Sequence, residues 1–296
     1  MPTDHSTILE LARAHGLDII ADSIVVNELG LDFQVALAEA VDGRSWVLRI
    51  PRRSDVATRA AVEGRFLTAI APRLSIAVPD WQIHSENLIA YPLLPGHPGL
   101  TIDDDGQPRW HFDVESPEYA ESLGSVLAEL HTVDPAAVRG SGIPELSPTE
   151  VRQRKREDID HVTAEFDVAP TLLERWAAWL DDDSYWPTST TVTHGEVYPA
   201  HQLMDGPVNV GILDWTTASI GDPAKDFMFH CATVSASAFE ATTARYVADG
   251  GRVWPRFAEH CAELYSTSPV ELGLFALQTG EPEHLAAARA QLNPNV

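Results

Sequence analysis

The sequence predicts an α+β chain of two unequal lobes: a small, mostly antiparallel sheet with one helix, then a larger and mainly helical lobe. Three observations predict this. The first ninety residues carry short β-type runs separated by Gly and Asp-Gly turn signals. Pro95-Gly96-His97-Pro98-Gly99 and Asp103-Asp104-Asp105-Gly106 then mark a turn-rich connection. Beyond it, apolar residues recur at helical spacing, interrupted only by two short β runs that each lead to an acidic side chain.

Taken in order, Ile8, Leu9, Leu11 and Ala12 give a short amphipathic helix that Gly16 ends. Residues 23–29, 33–40 and 45–50 read as strands, with the hairpin signal Asp42-Gly43 between the last two and Pro51 closing the third. Residues 54–70 read as a helix, with Val56, Ala60, Glu63, Phe66, Leu67 and Ile70 on related faces. Residues 77–84 and 88–93 add two strands and complete a first lobe of residues 1–92. In the second lobe, residues 93–296, Tyr119, Leu123, Val126, Leu127 and Leu130 define a helix. Similar patterns recur at 148–165, 170–180 and 222–290.

Composition narrows the function. A hydrophobic content of 44% and eight Trp in 296 residues fit a folded globular chain. No apolar run approaches the roughly 20 residues of a membrane span, and residues 1–5 lack the pattern of a signal peptide. Cys231 and Cys261 lie thirty apart with no C-x-x-C and read as buried thiols, so a cytoplasmic location is expected. A net charge of −24 excludes a nucleic-acid partner, and an acidic cleft would concentrate a cationic small substrate. The basic run Arg152-Gln153-Arg154-Lys155-Arg156 lies among Glu150, Glu157 and Asp158 and reads as a solvated helix face.

The chemistry concentrates in Thr193-His194-Gly195-Glu196-Val197-Tyr198-Pro199-Ala200-His201 and Gly211-Ile212-Leu213-Asp214-Trp215. Glu196 and Asp214 are eighteen positions apart, each following a β run. Protein kinases use H-R-D-x-x-x-x-N and then D-F-G, a base for the hydroxyl proton followed by magnesium ligands. Here the frame reads H-G-E-x-x-x-x-H and then D-W-T. On this reading Glu196 accepts or orients the acceptor hydroxyl and His194 fixes the loop. Asp214 holds Mg²⁺; His201, where related kinases have Asn, ligates the metal, contacts phosphate or is structural. Arg49 in Trp46-Val47-Leu48-Arg49-Ile50 takes the place of the kinase Lys, with Glu63 as its partner. Gly30 would let the backbone approach phosphates. Ala90, Tyr91 and Leu93 stand at the lobe boundary, where a hinge binds a purine, and Ile212 joins the nucleotide set. There is no G-x-S-x-G and no H-E-x-x-H. His194-Gly195-Glu196 spells the H-x-E of zinc deaminases without their P-C-x-x-C. A metal hydrolase on His194, Glu196, His201 and Asp214 is the competing chemistry.

These residues resemble the aminoglycoside phosphotransferase-like antibiotic kinases, and among them the macrolide 2′-phosphotransferases. The general likeness lies in His194-Gly195, Asp214-Trp215 and Gly221-Asp222-Pro223-Ala224-Lys225-Asp226. The specific likeness covers nearly the whole chain, including Val26-Asn27-Glu28-Leu29-Gly30, Trp46 to Arg53, Val78-Pro79-Asp80-Trp81 and Gly250-Gly251-Arg252-Val253-Trp254-Pro255. The resemblance implies a bilobal protein-kinase-like fold, Mg²⁺, and GTP as donor with ATP as the alternative. It implies a macrolide acceptor, phosphorylated on the 2′-hydroxyl of desosamine, and antibiotic resistance as the outcome. A monomer is expected. The macrolide ring needs an apolar pocket, expected near Phe227, Leu272 and Phe275. The family has Asp where this chain has Glu196, and a displacement of about an ångström can cost on the order of a hundredfold in rate. A kinase for another cationic alcohol, such as an aminoglycoside, and a ligand-binding pseudokinase are the alternative readings.

Overall fold

The computed structural model describes residues 4–27, 32–103 and 105–294. The chain begins with α1 (His5–Ala14), β1 (Val25–Asn27), β2 (Phe33–Glu39), β3 (Ser45–Pro51), α2 (Ser54–Ile70), β4 (Ile83–His84) and β5 (Ile89–Pro92). Short strands β6 (His97–Pro98), β7 (Leu100–Ile102) and β8 (Pro108–Trp110) precede α3 (Pro117–His131), α4 (Pro148–Glu165) and α5 (Pro170–Asp181). Next come β9 (Thr191–Thr193), β10 (Gln202–Asp205), β11 (Val208–Ile212) and β12 (Ser219–Gly221). The helices α6 (Met228–Thr233), α7 (Ala236–Ala248), α8 (Phe257–Ser266), α9 (Ser268–Thr279) and α10 (Pro282–Leu292) finish it. This is the mixed antiparallel-sheet and helical fold that the sequence predicts.

The residues group into two compact units, neither continuous in sequence. One holds Met1–Phe112, Ala136–Ile143 and Pro199–Ala218; the other holds Asp113–Pro135, Pro144–Tyr198 and Ser219–Val296.

The first unit is built on a five-stranded antiparallel sheet in the order β1-β2-β3-β5-β4. Alternation along β2 and β3 sends Ala36, Ala38, Trp46, Leu48 and Ile50 to one face, where they pack with Ile8, Ala12 and Ile24. Phe33, Val47, Ile89 and Tyr91 occupy the other face, against Val56 and Ala60 of α2. Helix α2 coincides with the predicted span, and its charged Glu63 is buried with the apolar stripe. Residues 77–84 do not form one strand: Pro79 cannot donate to a ladder, so only Ile83–His84 pairs, while Ala77 makes a lone bridge to Gly211. The turn-rich connection also contains three strands; β6 pairs with β10, and β7 with β8.

The second unit is mainly helical. Trp176, Trp179, Tyr119, Tyr246 and Phe227 are among its largest fully buried side chains. A capping box between Ser147 and Glu150 starts α4, and Pro follows the N-cap in α3, α4, α5 and α10 and stands one residue later in α9. The antiparallel pair β9–β12 lies among these helices in sequence. No described helix is long and apolar enough to cross a membrane.

Gly251 lies against the ring of Tyr246, so a Cβ there would stand 2.3 Å from the nearest ring atom. Tyr246 is 1% exposed and hydrogen-bonded to His131, and cannot swing away cheaply. Gly251→Ala is expected to destabilise the protein by roughly 1–3 kcal/mol through overpacking. Urea unfolding measures this; an unchanged midpoint contradicts the packing account.

Candidate active site

In the first unit, Arg49 leaves the middle of β3 and meets Glu63 of α2, Nη1 donating to Oε1 at 2.9 Å. Both are buried, and the guanidinium lies 4.0 Å from the centre of the Phe33 ring. Glu63 Oε1 also accepts from the amide of Trp215 at 3.3 Å, so one carboxylate joins β3, α2 and the turn after β11. The indole of Trp215 donates to the Ile212 carbonyl and packs against Phe66, which holds the turn in place.

Asp214 is the one non-glycine among the described residues with positive φ, at 58°. Asp is one of the few residue types that tolerate the left-handed region. The bend is closed by Thr216, whose hydroxyl donates to Asp214 Oδ1 at 2.6 Å. The other carboxylate oxygen lies 3.9 Å from His201 Nε2, and Leu213 N donates to the His201 carbonyl, which keeps the two segments side by side.

That separation is too long for a hydrogen bond. No group of three His, Cys, Asp or Glu that could hold a metal occurs among the described residues. The Asp214 carboxylate is the kind of ligand Mg²⁺ takes, with water and phosphate oxygens completing the shell, whereas the His201 imidazole is a less natural ligand for that ion.

The electrostatics agree with a cation at this place. Burial pushes the Glu63 carboxyl above the usual range; Arg49 opposes the rise and the Asp214 charge adds to it. Burial works against the Arg49 charge, but Glu63, Tyr91 and Asp214 outweigh it and raise the pKa further. The Tyr91 hydroxyl is pushed up to about 12, by burial first, with Arg49 opposing and Glu63 and Asp214 reinforcing. Glu63 Oε2 is buried without a hydrogen-bond partner. A cation near Asp214 relieves its repulsion with Glu63.

In the second unit, the loop after β9 is fixed by Asp226. Its Oδ2 accepts from the His194 amide (2.9 Å) and from His131 Nε2 (3.0 Å), and its Oδ1 from the Gly195 amide (2.6 Å). His131 Nδ1 bonds the Tyr246 hydroxyl at 2.8 Å. Burial acts to raise the Asp226 pKa, but the bonds and charges of His131 and His194 prevail and lower it. Gly195 has φ +90°, a conformation that favours glycine. The Glu196 amide donates to His194 Nδ1 at 3.1 Å, so His194, fully buried, does hold the loop. Glu196 itself is half-buried.

The structure thus brings together Arg49 with Glu63, His201 with Asp214, and His194 with Glu196. It corrects three expectations. Ile212 and Ala90 expose no surface, and the Ala90 carbonyl already accepts from Gln82, so both belong to the core and not to a nucleotide surface. Phe227 is also fully buried, in edge-to-face contact with Tyr246, Phe239 and Phe257, and cannot line an open pocket. Leu93 is exposed, but its amide donates to Ser45. Leu272 and Phe275 are half-buried on α9, with Phe275 against His284. Gly30 lies outside the described residues.

Two features escaped the sequence reading. Asp226 was visible only as part of a motif. The other is a cross-strand row on the Arg49 face of the sheet. Val25 pairs with Leu37, Leu37 with Val47, and Val47 with Tyr91. Val25 is 65% and Leu37 41% exposed, whereas Val47 and Tyr91 are buried, so the row runs from an exposed apolar edge into the core. Its signal, period-2 alternation, is readable only once the register is known.

Residues 23–260 match the phosphotransferase enzyme family (APH). The structure of macrolide 2′-phosphotransferase MphH from Brachybacterium faecium superimposes with a TM-score of 0.93 at 52% identity, covering 100% of this chain and 99% of that one. A type I macrolide 2′-phosphotransferase gives 0.92 at 41% identity, covering 99% and 97%. The uncharacterized protein YcbJ of Bacillus subtilis is 41% identical over 289 residues, 95% of this chain and 93% of its own. The GDP and kanamycin complex of APH(2″)-IIIa shares the fold at 17% identity, with a TM-score of 0.76 over 98% and 97% of the two chains. The matched residues include Arg49, Glu63, His194, Glu196, His201, Asp214 and Asp226, and the chain belongs to the phosphotransferase enzyme family.

Proposed function

We propose that this enzyme transfers the γ-phosphoryl group of GTP to the 2′-hydroxyl of the desosamine sugar of a macrolide antibiotic, inactivating it. The observation that carries the phosphoryl-transfer reading is the Arg49–Glu63–Trp215 chain, which ties a buried guanidinium to the turn bearing Asp214. The near full-length likeness to macrolide 2′-phosphotransferases supports the acceptor. Residues 1–92 would serve mainly the nucleotide, and residues 93–296 the acceptor and the catalytic loop.

Arg49 holds phosphate oxygens with the edge of its fork that Glu63 leaves over. The exposed apolar side chains Val25 and Leu37 would pack on the base. Asp214 and His201 would hold Mg²⁺, which when bound neutralises charge on the phosphate oxygens. Glu196 takes the proton of the acceptor hydroxyl as its oxygen bonds to the γ-phosphorus, and the bond to the bridging oxygen of the nucleoside diphosphate breaks.

Glu and Asp have similar intrinsic pKa values, so exchanging them alters reach more than basicity. Glu196→Asp is expected to raise single-turnover transfer from GTP to a macrolide by roughly tenfold to a hundredfold. Glu196→Gln should stand at or below the present rate, because an amide cannot accept the proton. A slower Asp variant would mean that the loop is adapted to Glu, and a fully active Gln variant would remove the base assignment.

A further inference from the structure

The second unit buries most of its large aromatic rings, but three beside the catalytic loop keep exposed faces. Tyr198 follows Glu196 by two residues, and its amide donates to the Glu196 carbonyl at 2.7 Å. Its ring meets Phe229 at 5.2 Å between centroids, and Phe229 meets Tyr265 at 6.0 Å. Tyr198 and Phe229 are half-buried, and Tyr265 is 41% exposed. Phe227, the residue that caps α6, is fully buried, whereas Phe229 in its first turn is only half-buried. The Tyr198 hydroxyl has a raised pKa, through burial first and then the charges of Tyr265 and Glu196. Beside Tyr265 opens a cavity of about 550 Å³ whose walls include Leu172, Ala262 and Pro269.

A cluster of partly exposed rings that begins two residues after the catalytic carboxylate matches one kind of acceptor: an alkylated ammonium close to the reacting hydroxyl, attached to an apolar body. Alkylated ammonium ions pack on aromatic faces, whereas primary amines are better held by hydrogen-bond acceptors. We propose that Tyr198, Phe229 and Tyr265 form the wall that selects a dialkylammonium acceptor, with the apolar body running past Tyr265 into the cavity. This rests on the macrolide reading given above, and assigns specificity to residues that do not touch the transferred phosphate.

The test is calorimetric binding, without nucleotide, of erythromycin and of a neutral derivative whose sugar nitrogen carries an acetyl group in place of one methyl. The wild-type protein should favour the charged macrolide by roughly tenfold, the range of desolvated cation–π contacts. Tyr198→Leu and Phe229→Leu should each bring that preference most of the way towards parity while keeping the melting temperature. Tyr198→Phe, which retains the ring, should keep the preference. An unchanged preference in both Leu variants overturns the wall and leaves the macrolide reading standing. Failure of the wild-type protein to bind either compound overturns both.

Discussion

Asp214→Asn is expected to reduce phosphate transfer by at least about a thousandfold while leaving the melting temperature nearly unchanged. Several kcal/mol of transition-state stabilisation depend on the ion that the carboxylate would hold, and each 1.36 kcal/mol is a factor of ten in rate. Asparagine is the informative replacement because it also tolerates the left-handed backbone observed at this position. Its amide oxygen can still accept from the Thr216 hydroxyl, so the turn survives and only the charge is lost. Alanine would confound the two effects, since an ordinary side chain in that backbone conformation costs roughly 1–2 kcal/mol. Single-turnover kinetics together with thermal melting separate them. Near wild-type transfer by a folded Asn variant would remove Asp214 from the chemistry.

The second large effect is expected at Asp226, which touches no reactant in this account. Replacing it by Ala strands two backbone amides and the His131 ring nitrogen in a fully buried place. Each orphaned donor costs about 1–3 kcal/mol, so a loss of at least 3 kcal/mol is expected. Transfer by the folded fraction should fall by on the order of a hundredfold, because the loop bearing Glu196 is no longer held to within an ångström. The Asp226 pKa is lowered from 3.8 on folding, so its stabilising effect is complete above that value and is lost as pH falls through the lower folded value. Urea unfolding from neutral pH downward should therefore show a smaller acid dependence below 3.8 in Asp226→Asn than in the wild type. Equal stability and equal transfer in Asp226→Ala would contradict the clamp.

Much of this was legible in the sequence wherever local chemistry decides the outcome. Helix α2 was foreseen residue for residue because Pro51 stops the strand before it and the apolar stripe is regular. The coupling of Arg49 to Glu63 was expected from their order along the strand and the helix that follows it, and the two side chains do meet. What failed depended on tertiary partners. Phe227 and Phe229 look alike in sequence, and only the packing around α6 shows that the first is core and the second half-buried. Strands β6, β7 and β8 were hidden by the Pro, Gly and Asp residues that bound them. Gly96, for example, has φ +87° and sits where a Cβ would come within 2.7 Å of Val210. Asp226 lies thirty-two residues from the His194 amide it holds, so no local pattern announces the bond.

The most direct test of the account is a single-turnover assay in which GTP carrying a labelled γ-phosphate is mixed with an erythromycin-type macrolide and, in parallel, with a kanamycin-type aminoglycoside. Mass spectrometry and phosphorus NMR identify the product and the hydroxyl that received the phosphate. The account predicts label on the 2′-hydroxyl of the macrolide amino sugar, none on the aminoglycoside, and loss of the product in Asp214→Asn. Label on the aminoglycoside with the macrolide untouched, or nucleotide turnover with neither acceptor modified, would contradict it.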